Sequence, residues 1–227
     1  MKIKWFGQSC FLLTDENGVS VLTDPCGPET GYKIGKIPCD AVTVSHDHLD
    51  HNYIEAAEGE PVIITDDGEH EVKGVRIIGF PAFHDDEEGA LRGRNMMYLY
   101  EMDGIRILHA GDIGHFLSHA QLAEIGPVDV LLVPIGGRYT LDYIGARRFA
   151  NDLRPSVVIP MHFKTPLTDI GIDDCQNFIS TVQDCRIHKL NDSEVFIYRN
   201  TLGEDRVLVL DPYVEETVEE QFRFDLD

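Results

Sequence analysis

Apolar positions along this chain gather in short runs and rarely form the long stripes of amphipathic helices. Runs at Lys2–Phe6, Cys10–Thr14 and Val19–Thr23, the last two parted by Asp15-Glu16-Asn17-Gly18, predict strands joined by tight turns. Further runs without helical periodicity lie at Ala41–Val44, Val62–Ile64, Val75–Phe80, Met96–Tyr100 and Ile105–Leu108. Later ones follow at Val128–Val133, Val157–Ile159, Val195–Tyr198 and Val207–Leu210. Met102-Asp103-Gly104 separates two of them and predicts a hairpin. Helical patterns are fewer. Asn52–Glu58 reads as a short helix stopped by Gly59, and Ser118 as the cap of a helix through Ile125 that Gly126-Pro127 ends. Asp142–Leu153 and Asp173–Val182 read as amphipathic helices, the first closed by Pro155. A strand-rich beginning followed by strand–helix alternation predicts an α/β protein with mixed sheets. The length suits one domain over residues 1–227, with an acidic C-terminal extension over 213–227.

Bulk properties narrow the class. The longest apolar runs, such as Val128–Ile135, suit buried strands and are too short to span a bilayer. Met1-Lys2-Ile3-Lys4-Trp5 opens no secretory signal, so the expected compartment is cytoplasmic. Five scattered cysteines without a Cys-x-x-Cys pair then read as reduced thiols. A net charge of −21 repels nucleic acid and anionic membranes, which points to a small-molecule substrate and leaves a homo-oligomer open.

The chemistry concentrates in Ser45-His46-Asp47-His48-Leu49-Asp50-His51, directly after the apolar run Ala41–Val44. A buried strand delivers such side chains to a sheet rim, where a loop can fold imidazoles and carboxylates around a cation. His84 follows Val75–Phe80, Asp112 follows Ile105–Leu108, and His162 follows Val157–Ile159. Four strands thus end near a candidate ligand, and the side chains converge if those ends share one edge.

In this order, His46, His48, Asp50, His51, His84, Asp112 and His162 resemble the ligand set of the metallo-β-lactamase superfamily. The likeness runs from Gly7 to about Lys164 and includes Thr23-Asp24-Pro25. Pro134-Ile135-Gly136-Gly137-Arg138-Tyr139-Thr140 and Pro160-Met161-His162-Phe163-Lys164-Thr165 are similar to its ascorbate-phosphate-lactonase-like branch of metal-dependent hydrolases. The resemblance implies a four-layer αββα sandwich with the site along one sheet edge. It implies one metal on His46, His48 and His84, a second on Asp50, His51 and His162, and Asp112 bridging them. Two divalent ions are implied, zinc first, with Mn2+ or Fe2+ as alternatives. The implied reaction is hydrolysis of a small anionic ester or lactone by water activated between the metals, with Asp50 as catalytic proton acceptor. Phosphodiester cleavage of a small metabolite and metal binding without catalysis are the competing readings. A nuclease is disfavoured by charge and by the short Asp112–His162 interval. A redox di-iron protein is disfavoured because such relatives carry Glu where His48 stands.

Other residues receive narrower expectations. His115 is a candidate catalytic or Asp112-orienting residue, and Asp24 a candidate hydrogen-bond partner of a ligand histidine. Arg94, Tyr139, Thr140 and Lys164, with Arg92 and Arg138, are candidates for gripping an anionic substrate. Asp85-Asp86-Glu87-Glu88 reads as a solvated loop over the site, with Asp85 able to orient His84. Asp47 reads as a loop residue, His109 as structural, and His70, His119 and His188 as surface or packing residues. Gln8 stands where some relatives carry a histidine.

Overall fold

The computed structural model describes residues 1–183, 185–204 and 206–215. The first part of the chain forms β1 (Lys2–Gly7), β2 (Cys10–Thr14), β3 (Ser20–Thr23), β4 (Ile37–Pro38), β5 (Ala41–Thr43), β6 (Ala57–Glu58) and β7 (Val62–Ile64). Then come β8 (Gly68–Val72), β9 (Val75–Phe83), β10 (Arg94–Met102), β11 (Ile105–His109) and β12 (Val130–Pro134). The last strands are β13 (Val157–Met161), β14 (Arg186–Lys189), β15 (Glu194–Phe196) and β16 (Arg206–Val209). Helices α1 (His119–Ile125), α2 (Tyr143–Leu153) and α3 (Cys175–Thr181) lie between the later strands.

Two mixed sheets result. One has six strands in the order β15-β1-β2-β3-β5-β7, the other eight in the order β14-β16-β13-β12-β11-β10-β9-β8. Their facing sides share one apolar core that includes Trp5, Phe11, Leu13, Tyr98, Tyr100, Leu108 and Leu132. β12 and β13 are buried at every position, as parallel strands covered on both faces must be. The helices follow the expected caps: Ser118 closes a capping box with Gln121, and Asp142 and Asp174 each accept a backbone N–H. α2 buries Gly145, Ala146, Phe149 and Leu153 and packs against α3 and β12. Over the outer face of the six-stranded sheet the covering layer is thin. A 3-10 turn, the short strand β4 and loops supply Ala56, Ile37, Tyr32 and Ile34 there.

The structure departs from expectation at Asn52–Glu58. Only Ile54–Ala56 winds, as one 3-10 turn, and Ala57–Glu58 pairs with Ile37–Pro38 as a strand. Tyr53 offers no side-chain cap to the start of this segment, unlike Ser118 and Asp174 at the equally short α1 and α3, and strand pairing takes its end. Residues 216–227 of the expected acidic extension lie outside the described residues. Its start is anchored: Tyr213 donates its N–H to Trp5 O at 2.9 Å and meets the Phe6 ring edge-on. Among the described residues no helix is long and apolar enough to cross a membrane. Among the described residues no disulfide joins any of the five cysteines.

Strand direction decides where the chemistry sits. β3 and β5 run parallel in one sheet, and β11, β12 and β13 run parallel in the other. β9 is antiparallel to β10, which is antiparallel to β11, so β9 runs with β11 as well. The ends of β9, β11 and β13 therefore open at the same edge, and the chain leaving β5 meets it through the bond from Met96 N to Ser45 O.

Candidate metal centre

Four ties close this edge. Met96 N on β10 donates to Ser45 O at 2.8 Å, so one sheet holds the start of the histidine loop on the other. Tyr100 Oη and Thr43 Oγ1 lie 2.7 Å apart, and Tyr98 Oη donates to Val44 O at 3.2 Å. His162 N donates to Gln8 O at 3.1 Å, drawing the end of β13 toward the β1–β2 turn. His162, Gln8 and Asp24 all have positive φ (48°, 46° and 38°), a strained conformation for a side-chain-bearing residue and one that clusters at functional sites. Gly111 is required where it stands. With φ at +56°, an added Cβ would fall 2.3 Å from Asn95 Oδ1. The same Asn95 Oδ1 accepts from Asp112 N at 2.8 Å and fixes that residue's backbone.

The side chains then converge. His46, His48 and His84 offer donor atoms within 4.8 Å of one another, as do Asp50, His51 and His162, and a third such group joins His46, His51 and Asp112. Asp112 Oδ2 lies 3.3 Å from the Nε2 atoms of His51, His84 and His162. Asp50 Oδ2 lies 3.5 Å from His51 Nε2 and 3.4 Å from His162 Nε2.

A buried carboxylate behind the cluster sets the tautomers. Asp24 Oδ2 accepts from His51 Nδ1 at 2.9 Å and from Ser45 Oγ at 2.6 Å, and Asp24 Oδ1 accepts from Ser45 N at 2.7 Å. Ser45 Oγ, its proton committed to Asp24, accepts from His46 Nδ1 at 2.9 Å. In their neutral forms both imidazoles thereby keep their proton at Nδ1 and present Nε2 to the cluster as the donor atom.

Electrostatics reflect a site built for positive charge. Burial alone would raise the Asp112 and Asp50 carboxyls, but neighbouring His162 and His51 hold both well below the usual carboxylate range. Conversely, burial would lower His51 and His162, yet Asp112 and its companion Asp50 hold both above the ordinary imidazole value. Burial and the neighbouring His51 push His46 down to about 3, and burial lowers His84. His51 Nε2, His162 Nε2 and Asp112 Oδ1 are buried without a hydrogen-bond partner. Orphaned imidazole and carboxylate atoms aimed at one point are a donor set that fits divalent cations.

Comparison with known proteins decides the family. The sequence profile of the β-lactamase superfamily domain matches residues 2–162. The chain belongs to the β-lactamase superfamily. It is 31% identical over 206 residues to a UPF0173 metal-dependent hydrolase of Archaeoglobus fulgidus, covering 77% of this chain and 88% of that one. A solved candidate Zn-dependent hydrolase of the metallo-β-lactamase superfamily from Thermotoga maritima is 34% identical. It superposes with a TM-score of 0.77 over 93% of this chain and 99% of that one. Igni18, a metallo hydrolase from Ignicoccus hospitalis, is 27% identical with a TM-score of 0.63, over 80% and 89% of the two chains.

In this superfamily member the cluster floors a cavity of about 480 Å³. His48, Asp50, His84, Asp112 and His162 line its floor, and Leu49, Leu91, Arg92, Tyr139, Ile170 and Glu29 its walls. Of the expected substrate-gripping residues, Tyr139 and Arg92 are brought here and the others are not. Arg94 is exposed at the start of β10, its backbone paired with Phe83. Thr140 Oγ1 donates to Leu141 O at 3.1 Å, and Lys164 Nζ donates to Ile170 O at 3.4 Å. Arg138 Nη1 donates to Gly171 O at 3.2 Å.

His115 does not line the cavity either. Its Nε2 accepts from Phe83 N at 3.1 Å and its Nδ1 donates to Phe116 O at 3.0 Å, so both nitrogens serve the backbone beside His84. Asp85, expected to orient His84, instead accepts four backbone N–H groups, from Glu87, Gly89, Leu91 and Arg92 at 2.6–3.0 Å. Those donors overcome its burial and hold its carboxyl below the usual range. Asp47 Oδ1 accepts from Asn52 Nδ2 at 2.7 Å, and His109 Nε2 donates to Ser9 O at 2.8 Å, both as structural residues. The sequence reading missed Leu49, Leu91 and Ile170. The available signal was an apolar side chain inside a ligand-bearing loop, where no helix or sheet can bury it.

Proposed function

We propose that this metallo-β-lactamase superfamily hydrolase uses two divalent ions to cleave a small anionic ester or lactone. The observation that carries the reading is the position of Asp112 Oδ2, 3.3 Å from imidazole nitrogens of both donor groups. His46, His48 and His84 would hold one ion, Asp50, His51 and His162 the other, and Asp112 would bridge them. Zinc is the first candidate for these N/O donors, and the similar Thermotoga maritima protein is described as Zn-dependent. Bound there, such ions would supply a water of lowered pKa, about 7 in favourable zinc sites, and a Lewis acid for a carbonyl.

The chain's own residues supply the rest. Asp50 reaches the cavity from between two imidazoles, 3.5 Å from His51 Nε2 and 3.4 Å from His162 Nε2, where its carboxylate can take a proton from the attacking water. Asp24, through His51 and Ser45, keeps two imidazoles in the donor tautomer. Arg92, beside the Tyr139 ring at 5.9 Å, meets the substrate's negative charge.

The test joins metal analysis of the purified protein to a hydrolysis screen, repeated on His51→Ala. The expected result is about two ions per chain in the parent, with one ion and the activity lost in the variant. Turnover of bis(p-nitrophenyl) phosphate with none of any lactone would replace the ester reading by a phosphodiesterase. An intact two-ion site inert to esters, lactones and phosphoesters would end the catalytic reading.

A further inference from the structure

Leu49 sits between His48 and Asp50, and Leu91 sits beside Arg92. They are 77% and 68% exposed, the highest values among the described large apolar side chains, and both line the cavity above the donor cluster. A single exposed leucine needs no explanation. Two of them, on separate loops, converging on one cavity with Ile170 and Tyr139, form a contiguous apolar collar of the kind that marks a ligand site.

The backbone holds this collar open. Leu49 O accepts from Gly27 N at 3.2 Å, and His51 N donates to His48 O at 2.9 Å, so the turn carrying Leu49 is tied on both sides. Leu91 N donates to Asp85 Oδ2 at 3.0 Å, as part of the four-bond clasp around that carboxylate. Neither leucine can retreat into the core without breaking these bonds.

Above the donor cluster, Arg92 and Glu29 are the charged side chains on the cavity walls. Arg92 is the basic side chain that lines it, with one guanidinium N–H committed to Arg138 O at 3.0 Å. Glu29 lines it too, which disfavours a polyanion.

Resting on the ester or lactone reading, we propose that the substrate is a singly charged amphiphile. Its carbonyl lies over the histidine–aspartate cluster, its aliphatic or aryl portion packs between Leu49, Leu91 and Ile170, and its one carboxylate meets Arg92. The cavity's 480 Å³ falls in the range of small-molecule sites and leaves room for a chain of several carbons.

The test measures binding separately from turnover. Zinc-loaded full-length protein is titrated calorimetrically with straight-chain carboxylates from acetate to octanoate, and assayed on lactones from γ-butyrolactone to γ-octalactone. Affinity should rise roughly fourfold for each methylene the collar covers, the increment for burying one CH2, and then level off. In a Leu49→Ser/Leu91→Ser variant the increment should fall below about twofold. Ile144→Ser, at a side chain 60% exposed on α2 that does not line the cavity, should keep the parent increment. Arg92→Leu should weaken hexanoate at least about tenfold more than hexanamide.

Binding that ignores chain length, or an unchanged increment in the double variant, overturns the proposal. If the double variant alters the oligomeric state on sizing and leaves the increment intact, the leucines cover a second copy and the proposal falls. Equal turnover of every lactone sinks this inference and leaves the hydrolase reading standing. A full chain-length increment with neither esters nor lactones turned over leaves the binding inference standing and removes the ester and lactone reading.

Discussion

At the scale of single residues, Asp24 and His115 had similar standing in the sequence, as polar side chains near ligand positions. The structure separates them by what their hydrogen bonds reach. Asp24 is buried and touches His51 and Ser45, and through Ser45 it reaches His46. Asp24→Ala should therefore lower metal affinity by about 10–100-fold, the usual penalty for losing a carboxylate behind a ligand histidine. Competition with a chromophoric chelator reads this directly, and an unchanged affinity would remove Asp24 from the site. His115 spends both nitrogens on backbone groups, so His115→Ala should cost less than tenfold in kcat/KM, with a modest loss of thermal stability. A general acid or base in its place would cost about 100- to 10,000-fold, and a loss of that size would restore the catalytic role. The seven ligand candidates were legible because four of them crowd one short motif after an apolar run and the other three each lie within a few residues of another run's end. The substrate-facing side chains were not, since basic residues anywhere near the motif looked equivalent until the loops closed.

At the scale of elements, the strands that carry ligands were readable from their apolar runs, and Met102-Asp103-Gly104 does join a hairpin, β10 to β11. What escaped was polar or edge structure. β8, Gly-Glu-His-Glu-Val, is exposed along most of its length and forms through its ladder to β9, a long-range pairing that no local apolar signal announces. β14 hides for the same reason, pairing β16 with three of its four residues exposed. The loop after β9 is the instructive element. Its acidic run reads as solvated chain, yet Asp85 turns inward and folds residues 86–92 into a rigid clasp that presents Leu91 and Arg92. Asp85→Ala should free those four N–H groups without removing any candidate ligand. The expected outcome is faster hydrogen exchange across 86–92 and a KM raised severalfold with metal content unchanged. Loss of metal in this variant would mean that Asp85 acts on His84 after all.

At the scale of the whole molecule, the cluster couples metal, protons and folding. His51 and His162 are held above the imidazole value of 6.5, so their contribution to stability is complete below that pH and fades as pH climbs through their raised values. His46, His84 and His109 are held below it, so theirs is complete above pH 6.5 and is lost as pH falls. The two sets oppose each other, and the metal-free protein should be most stable near pH 6.5. The net charge of −21 does not move that optimum much, because surface carboxylates titrate well below pH 6 and their repulsion is nearly constant above it. Cations change the alkaline side alone. They take the place of the protons between His51, His162, Asp50 and Asp112, so their binding strengthens as those protons leave. At a free concentration 100 times Kd a bound ion adds about 2.7 kcal/mol, or about 5–11 °C in Tm for a chain of this size. Calorimetric scans at pH 5.5, 6.5, 7.5 and 8.5, with zinc or with chelator, should show curves that lie close at pH 5.5 and diverge toward 8.5. A metal-free Tm that keeps rising to pH 8.5, or a gap that does not widen, would mean that the imidazoles do not hold protons in place of cations, and the two-ion reading would lose its electrostatic basis.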